Sequence, residues 1–417
     1  MRVVIIGNSA AGLAAVDAFR KRDRDSKVLM IDQESVLAYS RVITPYFIMG
    51  RIKKEEDLFL RSREFYKECG VETRLGEKVQ SIDIESRLVF VGRGKKEAFD
   101  LLLIATGGSP NRPRIEGGGR EDILVLRNLS DARRLKKMKL KADRIVFLGG
   151  GLVSLQTLQA LYRPEGQYTL VVKSDRILSQ ILDREASEIA ERRLEKMGVR
   201  IIKGRDVTRL KEANGSKIVT LDDGEEIETD FIFAGKGVSP NISFLEGSGI
   251  KTQNGILVDE YVETNIKGIY AAGDVAQAPD FFSAEKVNYG LWPSAVEQGE
   301  IAGKNMAGLK EVYCGNLKMN VTTIFALPIA SIGDFGSKRA VETLIKKDES
   351  KNVYRKICLD DRGVIIGAIL INELGDFGII RGLIRARCDA GILKHNSIWK
   401  STMSYGFIYK GIFQARL

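Results

Sequence analysis

Histidine is almost absent from this chain: His395 is the only one in 417 residues. With a single histidine, a Ser–His–Asp mechanism or a histidine-built metal centre is disfavoured, which removes most hydrolase chemistry. Cysteine is scarce as well. Cys69, Cys314, Cys358 and Cys388 are scattered, with no C-x-x-C among them. They are too few and too far apart for a disulfide scaffold or an iron–sulfur site, and read as isolated reduced thiols. Long apolar runs are missing too. A stretch such as 364–371 falls far short of the roughly 20 residues that span a bilayer. Met1 leads straight into an apolar strand without a long hydrophobic leader or a small-residue cleavage site, so no signal peptide is expected. The expectation is a soluble, cytoplasmic protein without a membrane span.

Apolar residues make up 44% of the chain, enough for real cores. Domains of roughly 100–200 residues suggest two to four of them. The formal charge of +10 is unevenly spread. Residues 381–417 hold seven basic side chains (381, 385, 387, 394, 400, 410, 416) against one acid, Asp389, with Trp399, Tyr405, Phe407, Tyr409 and Phe413 between them. Such a tail suits an acidic partner or a nucleic acid, or is simply a solvated face over core aromatics. No nucleic-acid recognition motif accompanies it.

The chain opens with an apolar, β-branched run, Arg2–Ile6, followed by Gly7-Asn8-Ser9-Ala10-Ala11-Gly12 and a helical pattern. A second strand over 27–31 ends at Asp32, 20 residues after Gly12. Strand, glycine turn, helix, strand and acid form a dinucleotide fingerprint. Gly7 permits the tight turn, and Gly12 lets helix and strand pack closely. Ser9 must be small so that the backbone, with that of Ala11, can approach a pyrophosphate at the helix N-terminus. Asp32 would accept hydrogen bonds from an adenosine ribose. Ser9 stands where the pattern has glycine.

The unit recurs about 142 residues later. Arg144–Leu148 is a strand, Gly149-Gly150-Gly151-Leu152-Val153-Ser154 the turn, 155–162 a helix and 168–172 the next strand. Ser154 replaces the third glycine. The strand ends at Lys173, 19 residues after Ser154, with Arg176 close by. A lysine is a poor acceptor for a ribose hydroxyl and suits a 2′-phosphate. The alternative is a surface lysine beside an NADH site. Two such folds imply two dinucleotides, usually FAD and NAD(P)H.

Further motifs follow in order. They are Ile104-Ala105-Thr106-Gly107-Gly108-Ser109-Pro110, Gly237-Val238-Ser239-Pro240-Asn241, Gly268-Ile269-Tyr270-Ala271-Ala272-Gly273-Asp274-Val275-Ala276 and Leu291-Trp292-Pro293-Ser294-Ala295-Val296-Glu297-Gln298-Gly299. With the two loops, they resemble the FAD-dependent pyridine nucleotide–disulfide oxidoreductase superfamily, most of all its NADH:rubredoxin reductase and nitrite reductase flavoprotein branch.

The resemblance implies an α/β fold with two Rossmann-like dinucleotide-binding domains and an α+β C-terminal domain. The FAD domain would be split, 1–112 and 243–318, with the NAD(P) domain, 113–242, inserted. Residues 319–417 would form an interface domain facing a second subunit. That domain reads as strands over 320–325, 330–332, Val353–Leu359 and 363–371, followed by helical segments. Asp274 would bind the ribityl chain or the neighbouring phosphate, beside Gly273. Thr106 and Gly107 would close the first FAD section, and Trp292 would border the flavin ring. Val79 and Arg41 join the FAD set, Arg41 at the pyrophosphate or facing solvent. Gly149, Gly151, Leu152, Ser154, Gln156, Lys173 and Arg176 are candidates for the nicotinamide nucleotide, and Gly237 completes the cofactor-binding set.

The sequence departs from that pattern in two telling places. Some branches keep a redox cysteine just before a Pro-Tyr pair. Aligning on Pro45-Tyr46 puts Val42 there, so thiol relay chemistry is disfavoured. Gln156 stands where relatives often carry Glu near the nicotinamide. The resulting expectation is a flavoenzyme that moves hydride between NAD(P)H and flavin and exchanges electrons with rubredoxin, a ferredoxin or an iron–sulfur subunit. A self-contained NAD(P)H oxidase and a nonenzymatic FAD-bearing scaffold or sensor are the competing readings. No catalytic side chain is singled out, since hydride transfer needs no protein acid or base.

Overall fold

The computed structural model describes residues 1–213 and 216–387. Two compact units emerge. Of the described residues, the first comprises Met1–Arg112, Val125–Leu140 and Lys236–Leu317, and the second Pro113–Leu124, Lys141–Gly235 and 318–387.

In the first unit, a five-stranded parallel sheet runs in the order Ile269–Ala271, Leu101–Ile104, Arg2–Ile6, Lys27–Asp32, Val71–Leu75. The central strand is covered on both faces, which is why Val3, Val4, Ile5 and Ile6 read as an unbroken apolar run and are all buried. Its register sets Ile5 opposite Met30 on one side and Leu103 on the other. The helix Ala10–Arg20 returns across the sheet and packs on the helix Trp292–Met306. That contact needs small residues. A Cβ on Gly299 would run into the Ala11 carbonyl oxygen, and one on Gly303 into that of Ala15. A three-stranded antiparallel sheet, Val79–Asp83, Leu88–Val91 and Lys95–Ala98, completes the larger part of this unit. A short antiparallel pair, Gly108–Pro110 with Val238–Pro240, ties its early and late segments together.

The second unit has a parallel sheet of the same design, ordered Val199–Lys203, Gln167–Val172, Arg144–Leu148, Phe231–Ala234, Ile123–Leu124. The helix Leu152–Leu161 starts three residues before the expected 155, directly at the glycine turn. A second, antiparallel sheet of five strands follows, in the order Met319–Ile324, Leu327–Gly333, Ile365–Ile371, Val353–Leu359, Glu342–Asp348, with the helix Phe377–Ala386 against it. The strand Glu342–Asp348 was not expected. It is an edge strand without a fully buried residue, so it carries no apolar alternation to read. This sheet is fastened to the nucleotide fold of its own unit. The Tyr354 hydroxyl donates to Asp183 at 2.7 Å, Lys356 pairs with the same carboxylate at 3.0 Å, and the Arg193 guanidinium donates to the Phe325 carbonyl at 2.6 Å.

Gly303→Ala is expected to lower the stability of the first unit by about 1–3 kcal/mol, because the added methyl must push two helices apart. A urea midpoint equal to that of the parent chain would contradict this packing.

Candidate functional site

In the first unit, Gly7 and Ser9 lie between the central strand and its helix, and Ala11 and Gly12 in that helix's first turn, at the carboxyl ends of the strands. There the connections of the sheet diverge, to Lys27–Asp32 on one side and Leu101–Ile104 on the other. Ligands of open α/β sheets bind at such a switch point. Gly7 takes a φ of 121°, and a Cβ there would run into the Ala105 carbonyl; one on Gly12 would run into the carbonyl of Gly7. Ser9 caps the helix in extended conformation, but its hydroxyl makes no capping bond. The first-turn N–H groups are thereby left to an external acceptor, with the helix dipole behind them.

Asp32 accepts the backbone N–H of Asn8 at 2.6 Å and of Glu34 at 2.7 Å. Burial pushes its carboxyl above the ordinary aspartate range. Each oxygen still has capacity for a further donor such as a ribose hydroxyl. Asn8 is only 5% exposed. Its Oδ1 accepts from the Tyr66 hydroxyl at 2.8 Å, while Nδ2 has no partner. A glycine cradle closed to side chains, with an orphaned buried donor beside it, fits a ligand rich in acceptor oxygens. These residues suit the FAD that the motifs imply.

The other candidates for FAD lie elsewhere in the same unit, some of them next to this cradle. Thr106 follows Ala105; its Oγ1 donates to the Asn241 carbonyl at 3.0 Å, and Asn241 donates back through Nδ2 at 2.8 Å. Gly273 lies 3.4 Å, measured from an added Cβ, from the methyl groups of Ala11 and Ala295, and its N–H donates to Gln298 at 2.8 Å. Asp274 pairs with Arg127 at 3.0 Å. A Cβ on Gly107 would lie 2.9 Å from the same guanidinium. Arg41 donates to the Arg127 carbonyl at 2.7 Å and to the Tyr39 hydroxyl at 2.9 Å, and pairs with Glu34 at 2.5 Å. Arg41 is thus braced within the unit. Trp292 opens the late helix, half-buried against the core. Val79 is buried in the core, in the strand Val79–Asp83. Gly237 also belongs to this unit; its carbonyl accepts from the Asn111 N–H at 3.0 Å.

Arg127 is the residue that the sequence reading missed. It precedes a capping box in which Asn128 and Asp131 open the helix Leu129–Met138. The Asn-x-x-Asp spacing was legible. The reach of Arg127 to Asp274, 147 positions away, was not.

In the second unit, Gly149 has a φ of 96°, and Gly151 caps the helix in extended conformation without a side chain in the way. Leu152 is the first helical residue. Ser154 is fully buried, and its hydroxyl has no partner. The facing residue is Gly235, where a Cβ would run into that hydroxyl. The close approach that glycine normally gives at position 154 is supplied from the opposite strand. Gln156 donates to the Thr322 hydroxyl at 3.0 Å. Lys173 is exposed at the end of Gln167–Val172. Arg176 pairs with Asp175 at 2.9 Å, and its Nε is buried without an acceptor.

Val42 lies in the turn Arg41–Ile43, 51% exposed. Among the described residues, Cys69, Cys314 and Cys358 are free. Burial raises the thiols of Cys69 and Cys358, which opposes thiolate formation. No described helix is long and apolar enough to cross a membrane.

Comparison with known proteins agrees with this geometry. Residues 1–299 match the pyridine nucleotide-disulphide oxidoreductase family, and 319–388 match the rubredoxin NAD+ reductase C-terminal domain. The chain is 30% identical to the epsilon subunit of NADH-dependent phenylglyoxylate dehydrogenase from Aromatoleum evansii, over 93% of this chain and 92% of that one. It is 30% identical to an NADH oxidase of Methanocaldococcus jannaschii, over 80% and 76% of the two chains. In fold it matches putidaredoxin reductase in its covalent complex with putidaredoxin, with a TM-score of 0.86, 20% identity and coverage of 95% and 96%. The α/β fold class and the family resemblance both hold.

Replacing Asp32 with Ala removes a half-buried charged acceptor and is expected to weaken FAD binding by about 10- to 100-fold. Flavin retained per chain on dilution reads this out; undiminished retention would contradict a role for Asp32 at the ribose.

Proposed function

Given a chain that belongs to the pyridine nucleotide-disulphide oxidoreductase family, we propose that it is an FAD-dependent NAD(P)H oxidoreductase that exchanges electrons with a protein carrier. The observation that carries this reading is the repeated cradle: two parallel sheets, each with a glycine turn at its switch point. When bound, FAD accepts hydride from NAD(P)H and releases electrons singly. The protein's part is to hold and orient. Gly7 and Gly12 admit the pyrophosphate to the main chain, Asp32 takes the ribose, and Arg127 with Asp274 flanks the remainder of the same cofactor. Arg41 braces that group through the Arg127 carbonyl. Gly149, Gly151 and Leu152 do for the nicotinamide nucleotide what the first turn does for FAD.

The electrons need an exit, and no cysteine stands at the Val42 position to take them. We therefore assign the acceptor to rubredoxin, a ferredoxin or an iron–sulfur subunit of a larger complex. The match of 319–388 to a rubredoxin reductase domain supports a protein acceptor, and the A. evansii relative is itself a subunit. The basic, aromatic segment 381–417 is the proposed docking surface; its residues 388–417 lie outside those the structure describes. The proposed division remains an FAD domain over 1–112 and 243–318, an NAD(P) domain over 113–242 and an interface domain from 319. The cytoplasm is the proposed compartment. The M. jannaschii relative supports a second reading, in which dioxygen is the acceptor.

Stopped-flow kinetics separates these. With rubredoxin as acceptor, reoxidation of the flavin should slow about tenfold or more as salt rises from low to physiological strength, since docking charges are screened within roughly 8 Å there. Flavin reduction by the nicotinamide should scarcely change. Equal salt sensitivity of both steps sinks the docking surface. Rapid oxygen uptake with no reaction toward rubredoxin or ferredoxin favours the oxidase.

A further inference from the structure

We propose that the nucleotide site of the second unit is built for a 2′-phosphorylated coenzyme, NADPH, held by a cationic pocket of Lys173, Arg176 and Arg184. This rests on the reading that the turn at 149–154 holds a nicotinamide dinucleotide. The two sheets of this one chain supply the contrast. In the first, the strand after the glycine turn ends at Asp32, a half-buried acceptor already taking the Asn8 N–H. In the second, the equivalent strand Gln167–Val172 is followed by Lys173, exposed to solvent. The topology is the same, and by register Val172 stands where Asp32 does, so the carboxylate acceptor is replaced by an apolar residue with the cationic Lys173 next to it.

The cationic loop lies against the cradle. The Leu178 N–H donates to the Gly150 carbonyl at 2.8 Å. A Cβ on Gly150 would lie 3.1 Å from a Val172 methyl and 3.2 Å from the Ile177 Cα. The loop is also held in shape before any ligand arrives. The Ser174 hydroxyl donates to the Arg176 carbonyl at 2.7 Å, the Ser187 hydroxyl donates to the Ile177 carbonyl at 2.7 Å, and the Ile177 N–H donates to Glu191 at 3.2 Å. A preformed loop loses little freedom on binding.

Two acids lie between Lys173 and Arg184: Asp183 is taken by Tyr354 and Lys356, and Asp175 is engaged on both oxygens, by Arg176 at 2.9 Å and by Arg184. It holds the two guanidinium groups in place rather than standing in for the missing ribose acceptor. Arg176 keeps a buried Nε without an acceptor, a donor that a phosphate oxygen satisfies. Lys173, Arg176 and Arg184 against Asp175 leave two positive charges. A phosphate monoester carries about −1.5 to −2 at pH 7, so the 2′-phosphate closes the balance. A 2′-hydroxyl leaves it open.

Isothermal titration of the FAD-loaded full chain with adenosine 2′,5′-bisphosphate and with adenosine 5′-monophosphate tests the pocket without any turnover. The bisphosphate should bind at least about tenfold more tightly, as one or more charge-assisted hydrogen bonds would give. Salt should narrow the gap. Lys173→Glu and, separately, Arg184→Ala should each reduce the ratio of the two affinities, the first more. Equal affinity for the two probes overturns the proposal, as does a preference that survives both substitutions. Anaerobic reduction by both coenzymes with equal efficiency, alongside equal probe binding, overturns the pocket and leaves the NAD(P)H reading standing. Failure of both coenzymes to reduce the flavin removes that reading, while the probe ratio still decides the pocket. Failure of both probes to bind overturns both.

Discussion

The distance between a main-chain carbonyl and the α-carbon of Gly7 governs much of the first unit. The Ala105 oxygen comes so close that no side chain fits on Gly7, and the Gly7 oxygen in turn excludes one from Gly12. Two neighbouring parallel strands can therefore end side by side with a helix starting between them. The helix N-terminus is thereby brought to the switch point, where its open N–H groups are available to a phosphate. The same economy of volume recurs where Gly299 and Gly303 let the late helix settle onto Ala11 and Ala15. Gly273 packs against Ala11 and Ala295 of that helix pair, so the residues proposed for FAD at the start and near the end of the unit share one packing constraint.

The second unit meets the same constraint by a different distribution of residues. Ser154 occupies a position where glycine is usual, and Gly235 on the facing strand gives up its side chain instead. The serine that replaces the third glycine is accommodated by Gly235, just after the strand Phe231–Ala234. What differs between the halves is electrostatic. A half-buried carboxylate ends one strand, and a lysine backed by two arginines follows the other. The antiparallel sheet of the second unit is held to the nucleotide fold by polar contacts as well, with Asp183 serving as helix cap and as partner to both Tyr354 and Lys356.

Much of this was readable in the sequence because it depends on local rules. The strands Arg2–Ile6 and Arg144–Leu148 carry dense apolar runs, since both faces of their sheets are covered, and the glycine turns follow at once. Other features needed the fold. Glu342–Asp348 pairs along one edge only and shows no buried alternation. Arg127 sits between the two fingerprints in sequence, yet residues 125–140 pack with the first unit, so its place beside Asp274 follows from topology rather than from spacing. Gly235 compensates for Ser154 across 81 positions, a partnership that a single sequence does not reveal. The roles of individual residues toward FAD and NAD(P)H go beyond the fold and stand as proposals.

The central claim is that a chain without a redox cysteine at its flavin motif moves electrons from a nicotinamide nucleotide into a bound flavin. Anaerobic titration of the purified flavoprotein with NADH and with NADPH, followed at the flavin absorption band, tests it most directly. The account predicts that at least one of the two bleaches the flavin completely, near one equivalent per flavin. A flavin band left unmoved by both coenzymes, in a protein that retains its FAD, would contradict it.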